Sequence, residues 1–368
     1  MGARVRLTLR ALLPAVAVVA AGCAQRFDVA PVPAVRSCPG PSNDRFTWYV
    51  PEGTDRDSDA DRWCRSVGPP VLAADPGAHF HAWRTTDPLV AVAWNVNGGS
   101  GDIYRFLRTE LDLDCTSGEP FAGPPFVLLV QEAFRRSAHV PPTTDPDVIP
   151  PRMEEPERAG PRDDIVTVAE RCGLAIAYVA ATRNGPEEYG GLREDKGNAV
   201  LSTLPLAEPI AIEVPMVAQR RVTVGATVSL PSGNPLRLVS LHFNNYPTPW
   251  HFFRSGGSTR TQQARATLDG LRRFEAVRDG GTVPAVGGGD LNTGTTGETA
   301  LRYLYDWFTD SPPFHGEPTR SGFPTDHLLL RGGGVLEIEQ DSYRRIDDAY
   351  GSDHHPVIVR VRVATGES

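Results

Sequence analysis

The stretch VPAVGGGDLN, residues 283–292, decides how the chain is read. Pro284 opens a short apolar run, as suits a strand whose first residue needs no ladder donor. Asp290 and Asn292 close it with two polar groups. The same form, an apolar run against a reactive side chain, recurs in both directions along the chain. LVAVAWNV (89–96) leads to Asn95 and Asn97, PFVLLVQE (125–132) to Glu132, and LRLVSLHF (236–243) to His242. TDHLLLRG (325–332) carries Asp326 at its start, and PVIVRVRV (356–363) follows Asp353 and His354. Taken singly, a strand-end Asn or Asp is a turn residue that satisfies local backbone groups. Taken together, these residues put acids, amides and imidazoles at the ends of strands that fix their backbones, as a catalytic face requires.

The remaining strand-like runs are LAIAYVA (174–180), NAVLST (198–203), RVTVGATVSL (221–230) and GVLEIEQDSYRRI (334–346), each bounded by turn residues. Helical spacing of apolar residues occurs at IYRFLRTEL (103–111), DDIVTVAERCG (163–173), TRTQQARATLDGLRRFEAVR (259–278) and ETALRYLYDWF (298–308). Helices set among so many strands predict an α/β sandwich with mixed sheets. Regular structure is expected from Pro88 onward, as one domain over residues 88–364. Residues 23–87 read as a tether and irregular extension, rich in Pro, Asp and Ser and without a sustained period. Within them, DRDSDADRW (55–63) lacks the Gly and Glu of a calcium loop and reads as a solvated charge run.

The chain of 368 residues carries 37 Lys plus Arg against 45 Asp plus Glu, a formal charge of −8. That balance excludes a broadly basic nucleic-acid-binding surface. Arg4, Arg6 and Arg10 precede ALLPAVAVVAAG (11–22), which is too short to span a bilayer and fits the apolar region of a signal peptide. Ala20, Ala21 and Gly22 run directly into Cys23, which resembles the lipobox of bacterial lipoproteins. The resemblance implies that residues 1–22 are removed and that a lipidated Cys23 anchors the protein on the extracytoplasmic side of the membrane. Secretion by an ordinary signal peptide is the alternative. Removing residues 1–22 takes three Arg from a charge of −8 and leaves −11, so anchoring would rest on acyl chains and not on attraction to anionic lipid. Cys38, Cys64, Cys115 and Cys172 remain, in a compartment that permits disulfides. Of the three possible pairings, Cys38 with Cys64 and Cys115 with Cys172 are preferred, four buried thiols being the alternative.

The segments AWNVNGG (93–99), VQEAF (130–134), KGNAVLS (196–202), VSLHF (239–243), GGDLN (288–292), TDHLLL (325–330) and GSDHHPV (351–357) occur in one order. In that order they resemble the endonuclease/exonuclease/phosphatase superfamily, the DNase I-like fold, over roughly residues 88–363. The resemblance implies a four-layer α/β/β/α sandwich of two mixed, mainly antiparallel sheets. It also implies a Mg²⁺-dependent phosphoric ester hydrolase using in-line attack of water, with Mn²⁺ or Ca²⁺ as alternative ions. By that resemblance Glu132 is the principal metal ligand, with Asp353 beside the metal and Asn95 and Asn97 at the metal and phosphate. Asp290 orients or deprotonates water, Asn292 holds phosphate, Asp326 orients His354, and His242 faces the scissile phosphate. These roles agree with the chemistry of the residues. Mg²⁺ takes one or two carboxylates and keeps waters, and an imidazole paired with a carboxylate favours its charged form.

Lys196 is the chain's only Lys. As a compact point charge it suits contact with phosphate, Glu194 or Asp195, and an ordinary exposed Lys is the plain alternative. Either of those two acids is also a candidate partner for His242. Two long connections stand out, at 136–163 and at 244–258, the second holding Trp250, His251, Phe252 and Phe253. Those aromatics suit stacking on bases, insertion into a bilayer or packing as a lid. Arg220, Arg221, Arg254 and Arg260 are candidates for a local anion-binding strip. The expected substrate is a phosphodiester, so the protein reads as a nuclease or phosphodiesterase acting as a monomer on DNA, RNA or a lipid headgroup. A sphingomyelin, phospholipid or inositol phosphate hydrolase is the alternative. A catalytically inactive binding module on the same fold is a third reading, prompted by Asn97, where some relatives carry Asp.

Overall fold

The computed structural model describes residues 29–32, 46–51, 66–77, 80–142, 162–183, 193–216, 219–245, 258–295, 297–312 and 317–364. Two central strands set the plan. Strand β4 (Leu89–Asn95) is buried along its whole length, as a strand covered on both faces must be. Leu89, Ala91 and Ala93 face one core, while Val90, Val92 and Trp94 face another. This alternation, applied to every long strand, separates three apolar layers. One lies between two sheets, and the other two lie between each sheet and its helices.

The first sheet contains β4, β5 (Phe126–Arg136), β6 (Ala175–Arg183), β7 (Glu194–Ser202), β15 (Val357–Val363), and the short strands β3 (Val71–Ala73), β13 (Leu336–Ile338) and β14 (Arg344–Arg345). Its order is β13-β15-β4-β5-β7-β6-β3, with β14 paired to β15. The second sheet runs β1 (Val29–Val32), β2 (Thr47–Pro51), β8 (Ala207–Glu213), β9 (Val222–Ser229), β10 (Pro235–His242), β11 (Ala285–Asp290) and β12 (Asp326–Arg331). Helices α1 (Ile103–Glu110) and α2 (Ile165–Cys172) cover the outer face of the first sheet, and α3 (Ser258–Arg278) and α4 (Thr299–Trp307) cover that of the second. The result is the four-layer sandwich expected, with both sheets mixed and mainly antiparallel. Cys115 and Cys172 form a disulfide that ties the connection after α1 to the end of α2. Cys38, Cys64 and the 250–253 aromatics lie outside the described residues, as do residues 1–28. Among the described residues no helix is long and apolar enough to cross a membrane.

The structure departs from the sequence reading in three places. Strands β1, β2 and β3 lie in the segment read as irregular, and they join both sheets: β2 pairs parallel to β8, and β3 antiparallel to β6. Strand β8 was not among the expected runs because Pro209 interrupts it, and the structure absorbs that proline at a bulge between Ala207 and Ile210. The run at 334–346 is two short strands and a turn instead of one long strand.

Two β-α-β units position the site. Strands β4 and β5 are parallel and joined through α1, and strands β10 and β11 are parallel and joined through α3. The sheets stack so that the C-terminal ends of both pairs open at one end of the molecule. Close stacking there needs the glycines of β11. A Cβ on Gly288 would stand 3.1 Å from the Ala93 Cβ, and one on Gly289 would stand 2.0 Å from the Leu241 oxygen and 2.7 Å from the Gln131 amide. In the space so gained, Gln131 Nε2 donates to Ser240 Oγ (3.0 Å), and Ser240 Oγ donates to Val130 O (3.0 Å), clamping sheet to sheet beneath the site. Each such buried bond contributes on the order of 1 kcal/mol, and leaving either partner unsatisfied would cost more.

Candidate active site

The strand ends described above deliver their side chains to a common centre at Asp290. Its backbone terminates β11, and Asn292 N donates to Asp290 Oδ1 (2.9 Å), fixing the carboxylate rotamer. Oδ2 receives Asn95 Nδ2 at 3.0 Å from the end of β4. His242 Nε2, at the end of β10, stands 3.5 Å from the same oxygen, and His354 Nε2 stands 3.7 Å from it. Three nitrogen-bearing side chains from two sheets therefore surround one buried carboxylate oxygen. Burial pushes Asp290 up to about 6, with the His354 cation pulling the other way.

His354 is held from behind. Its Nδ1 donates to Asp326 Oδ2 (2.8 Å), and that same oxygen accepts from Thr325 Oγ1 (2.9 Å). Ser352 Oγ accepts from His354 N (3.1 Å) and donates to Asn95 O (2.6 Å), while Trp94 Nε1 donates to His354 O (3.1 Å). Burial works to lower the imidazole, but Asp326 and Asp290 outweigh it and raise His354 to about 9, so the ring is cationic at neutral pH. Its Nε2 is buried and has no hydrogen-bond partner among the described residues. A buried, charged donor left open at a strand-end centre is a place prepared for an anion.

Glu132 owes its direction to a bulge. The β5–β7 register shifts between Val130 and Ala133, and Glu132 sits there in the left-handed region with φ +52°. Bulges re-aim side chains at such sites, and non-glycine residues are held in this region only where their surroundings enforce it. Asn97 (φ +53°) and Asn292 (φ +51°) share the conformation. The register sets Asn95 opposite Gln131, the neighbour of Glu132, and Asn97 follows two residues on, its backbone N–H donating to Asn95 Oδ1 while its amide side chain makes no hydrogen bond to another described residue. Glu132 Oε2 accepts from Lys196 Nζ (3.0 Å), and Oε1 stands 3.9 Å from His242 Nε2. Burial would raise the Glu132 carboxyl, but its neighbours, the Lys196 ammonium first among them, prevail and keep it well below the ordinary range. His242 is held well below its ordinary value, by burial first and by Arg221 next, so it is neutral.

Several sequence expectations take a different form here. Asn95 braces the centre, its oxygen accepting from Asn97 N (2.9 Å) and its nitrogen donating to Asp290, which leaves one N–H and one oxygen lone pair for a phosphate or metal. Asn292 Nδ2 already donates to Phe243 O (2.9 Å), which leaves one N–H for a substrate. Asp353, expected beside a metal with Glu132, is paired with Arg320 at 2.8 Å and lies 3.9 Å from His354 Nε2. His242 meets Asp290 and Glu132 and not Glu194 or Asp195. Those two acids bind Arg136, Arg162 and Arg135 elsewhere. Lys196 is a buried partner of Glu132, not an exposed remnant. Of the arginine strip's described members, Arg220 pairs with Glu213 and Arg260 with Glu298, while Arg221 acts on the site; Arg254 lies outside the described residues. Arg320 was missed altogether. Its nearest sequence signal is the Arg-Ser-Gly turn just ahead of Asp326.

Asp290, Asp326 and His354 hold ligand-type atoms within 4.8 Å of one another, a buried group that could hold a metal ion. The Nδ1–Asp326 bond and the protonated ring instead suit that trio to proton and charge work, because a metal takes neutral imidazole. Glu132 with Asn97 is the better oxygen set for a hard divalent ion, being one ionised carboxylate and one amide oxygen with no other described partner.

A family model described as Endonuclease/Exonuclease/phosphatase family matches residues 92–354. Among solved structures, the chain is similar to an endonuclease/exonuclease/phosphatase from Beutenbergia cavernae DSM 12333, at 16% identity over 76% of this chain and 72% of that one, with a TM-score of 0.50. It is also similar to the human Nocturnin catalytic domain with bound sulfate anion (16% identity, 77% and 97% covered, TM-score 0.48). A third is Sphingomyelinase C from Streptomyces griseocarneus (16% identity, 75% and 99% covered, TM-score 0.40). At such identities the likeness concerns fold alone. Comparison with curated proteins finds no match.

Proposed function

The chain belongs to the endonuclease/exonuclease/phosphatase family, and on that premise we propose that it hydrolyses a phosphodiester by attack of water on phosphorus, with the Asp290–His354 centre as its reacting site. One observation carries this reading: the buried, cationic His354 Nε2 has no hydrogen-bond partner among the described residues and lies 3.7 Å from the Asp290 carboxylate, itself raised toward neutrality. An anion and a water are what such a pair lacks.

The residues divide the work as follows. Asp290 takes a proton from water as its oxygen bonds to phosphorus, and the bracket of Asn95 Nδ2 and Asn292 N holds the carboxylate while it does so. A base of pKa near 6 is well matched to this task at neutral pH. His354 donates its Nε2 proton in a hydrogen bond to a phosphoryl oxygen, where charge grows as the leaving oxygen departs. Asp326 keeps that ring oriented and charged. Neutral His242 faces the same phosphate from the other sheet. Glu132 and Asn97 would hold Mg²⁺, which supplies neutralisation of phosphoryl charge when bound. Lys196 and Arg221 keep the Glu132 carboxylate ionised for that purpose. The signal-peptide and lipobox reading of residues 1–23 sets this chemistry outside the cytoplasm, on a membrane anchor.

Hydrolysis of plasmid DNA, sphingomyelin, an inositol phosphate and an aryl phosphodiester by the purified protein, with and without Mg²⁺, tests the proposal. Metal-dependent cleavage of a diester that His354→Ala abolishes supports it. Full-rate turnover by His354→Ala, or silence of the unaltered protein on every substrate, overturns it.

A further inference from the structure

The segment from Thr319 to Asp326 is a short hairpin built onto the catalytic centre. Ser321 (φ +46°) and Gly322 (φ +84°) are both left-handed, the signature of a two-residue turn whose twist matches its flanking strands. Arg320 N donates to Phe323 O (3.1 Å) and Phe323 N to Arg320 O (2.7 Å), so the two residues stand directly opposite each other. Directly opposed residues of an antiparallel pair share a face. The base of the hairpin is fixed at three points. Thr319 Oγ1 accepts from Asp326 N (3.0 Å), His355 N donates to Thr319 O (2.9 Å), and Thr293 Oγ1 donates to Pro324 O (3.1 Å). The hairpin is thus bonded to the backbone of the residue that orients His354 and to the neighbour of His354 itself.

The Arg320 side chain is turned into the site. It binds Asp353 Oδ2 at 2.8 Å, and the Asp290 and Glu132 carboxylates add to the stabilisation of its charge. With a third of its side chain exposed, it remains within reach of solvent. Phe323, on the same face of the hairpin, is 54% exposed, a large ring at the mouth with little packing to justify it. The other exposed large apolar side chains among the described residues are Met216, Val277 and Val335. Val277 near the end of α3 and Val335 after β12 belong to the far end of the molecule, and Met216 lies in the β8–β9 connection, so Phe323 is the exposed large apolar side chain of this hairpin among the described residues. A single ring beside a guanidinium suits a single flat group, because both present planar faces for stacking.

Resting on the phosphodiester reading above, we propose that Arg320 and Phe323 form a specificity subsite for a planar aromatic group carried on the substrate phosphate. Arg320 exchanges Asp353 for a non-bridging phosphate oxygen, and Phe323 stacks on the aromatic substituent. A nucleobase and a simple aryl ester share that chemistry, and comparison of the two separates them.

The test compares kcat/KM on a dinucleotide, an aryl phosphodiester and glycerophosphocholine for the unaltered protein, Phe323→Ala, Phe323→Leu, Arg320→Ala and Arg320→Lys. In parallel, binding of a nucleoside monophosphate and of phenyl phosphate is measured by calorimetry. Phe323→Ala is expected to lower the preference for aromatic diesters over glycerophosphocholine about tenfold, through KM, with binding of the aromatic monophosphates weakened by the same factor. Arg320→Ala is expected to weaken both ligands at least tenfold, with partial recovery in Arg320→Lys. Loss on the dinucleotide alone assigns the subsite to nucleobases, and equal loss on the aryl diester assigns it to aromatic rings in general. Equal losses on all three diesters, or monophosphate binding indifferent to both positions, overturn the proposal. If no diester is turned over while Phe323→Ala and Arg320→Ala still weaken monophosphate binding, the subsite stands and the hydrolase reading falls.

Discussion

Replacing Asp326 by Asn isolates the feature on which the site's electrostatics depend. The Asn side chain keeps the shape and removes the charge that faces His354 Nδ1 at 2.8 Å. In the native protein the two acids lift His354 from 6.5 to about 9 against the effect of burial. That rise is worth about 3 kcal/mol in favour of the imidazolium, and Asp326 contributes more of it than Asp290. Without it, burial weighs against Asp290 alone and the ring titrates at lower pH. The sign follows directly. With its folded-state value raised to about 9, the ring is essentially fully cationic at neutral pH and loses its charge as pH climbs through about 9, so activity that needs the cation declines there. In Asp326→Asn the same decline moves to lower pH, and turnover at pH 8 falls at least about tenfold, the rate equivalent of about 1.4 kcal/mol, part of that rise. Histidine-selective NMR titration reads the ring without any substrate, and the pH–rate profile reads its consequence. A His354 still titrating near 9 in Asp326→Asn, or turnover within threefold at pH 8 in a normally folded variant, would refute the reasoning.

Three further outcomes follow from the same structure. Gly289→Ala places a Cβ 2.0 Å from the Leu241 oxygen on a backbone with φ +143°, and urea unfolding should show a loss of about 3 kcal/mol or more; stability within 0.5 kcal/mol of wild type, on the order of an ordinary surface change, would mean that the sheets can part there. Burial lowers His327 to about 4 while the unfolded chain titrates near 6.5, so stability drains away as pH falls from about 6.5 to about 4, by up to about 3 kcal/mol. His327→Asn should flatten that part of the pH dependence of the urea midpoint, and an unchanged slope would dismiss His327 as its source. Replacing Cys115 and Cys172 together by Ser removes a link between residues 57 apart and should cost roughly 2–4 kcal/mol; a thermal midpoint indifferent to the change would count against the disulfide as a stabilising element.

Much of the scaffold was legible because its central strands are buried on both faces. Such strands read as unbroken apolar runs, as at β4. Strands β1, β2 and β3 escaped because they are short and two of them carry proline, so no period develops. Strand β8 escaped because its proline is legal only at a bulge, and bulges are not written in periodicity. The site divided in the same way. His242, Asp290, Asp326 and His354 are brought together by strand ends, whose order the motifs preserve. The aim of Glu132 depends on another bulge, so its partner Lys196, 64 residues away, could be named as unusual but not paired. The arginines misled because charge was visible and its compensation was not: Arg260 lies against Glu298, 38 residues on. Arg320 was invisible because only the turn at Ser321 and Gly322 carries it back over the centre.

The most direct measurement is a crystal structure of the protein soaked with Mn²⁺ and inorganic phosphate, the ion located by its anomalous signal. The expected result is a metal on Glu132 and Asn97, and a phosphate oxygen within hydrogen-bond distance of His354 Nε2 with the Asp326 bond intact. A metal seated instead among Asp290, Asp326 and His354 with that bond broken, or a phosphate that leaves His354 Nε2 without a partner, would contradict the assignment of this centre.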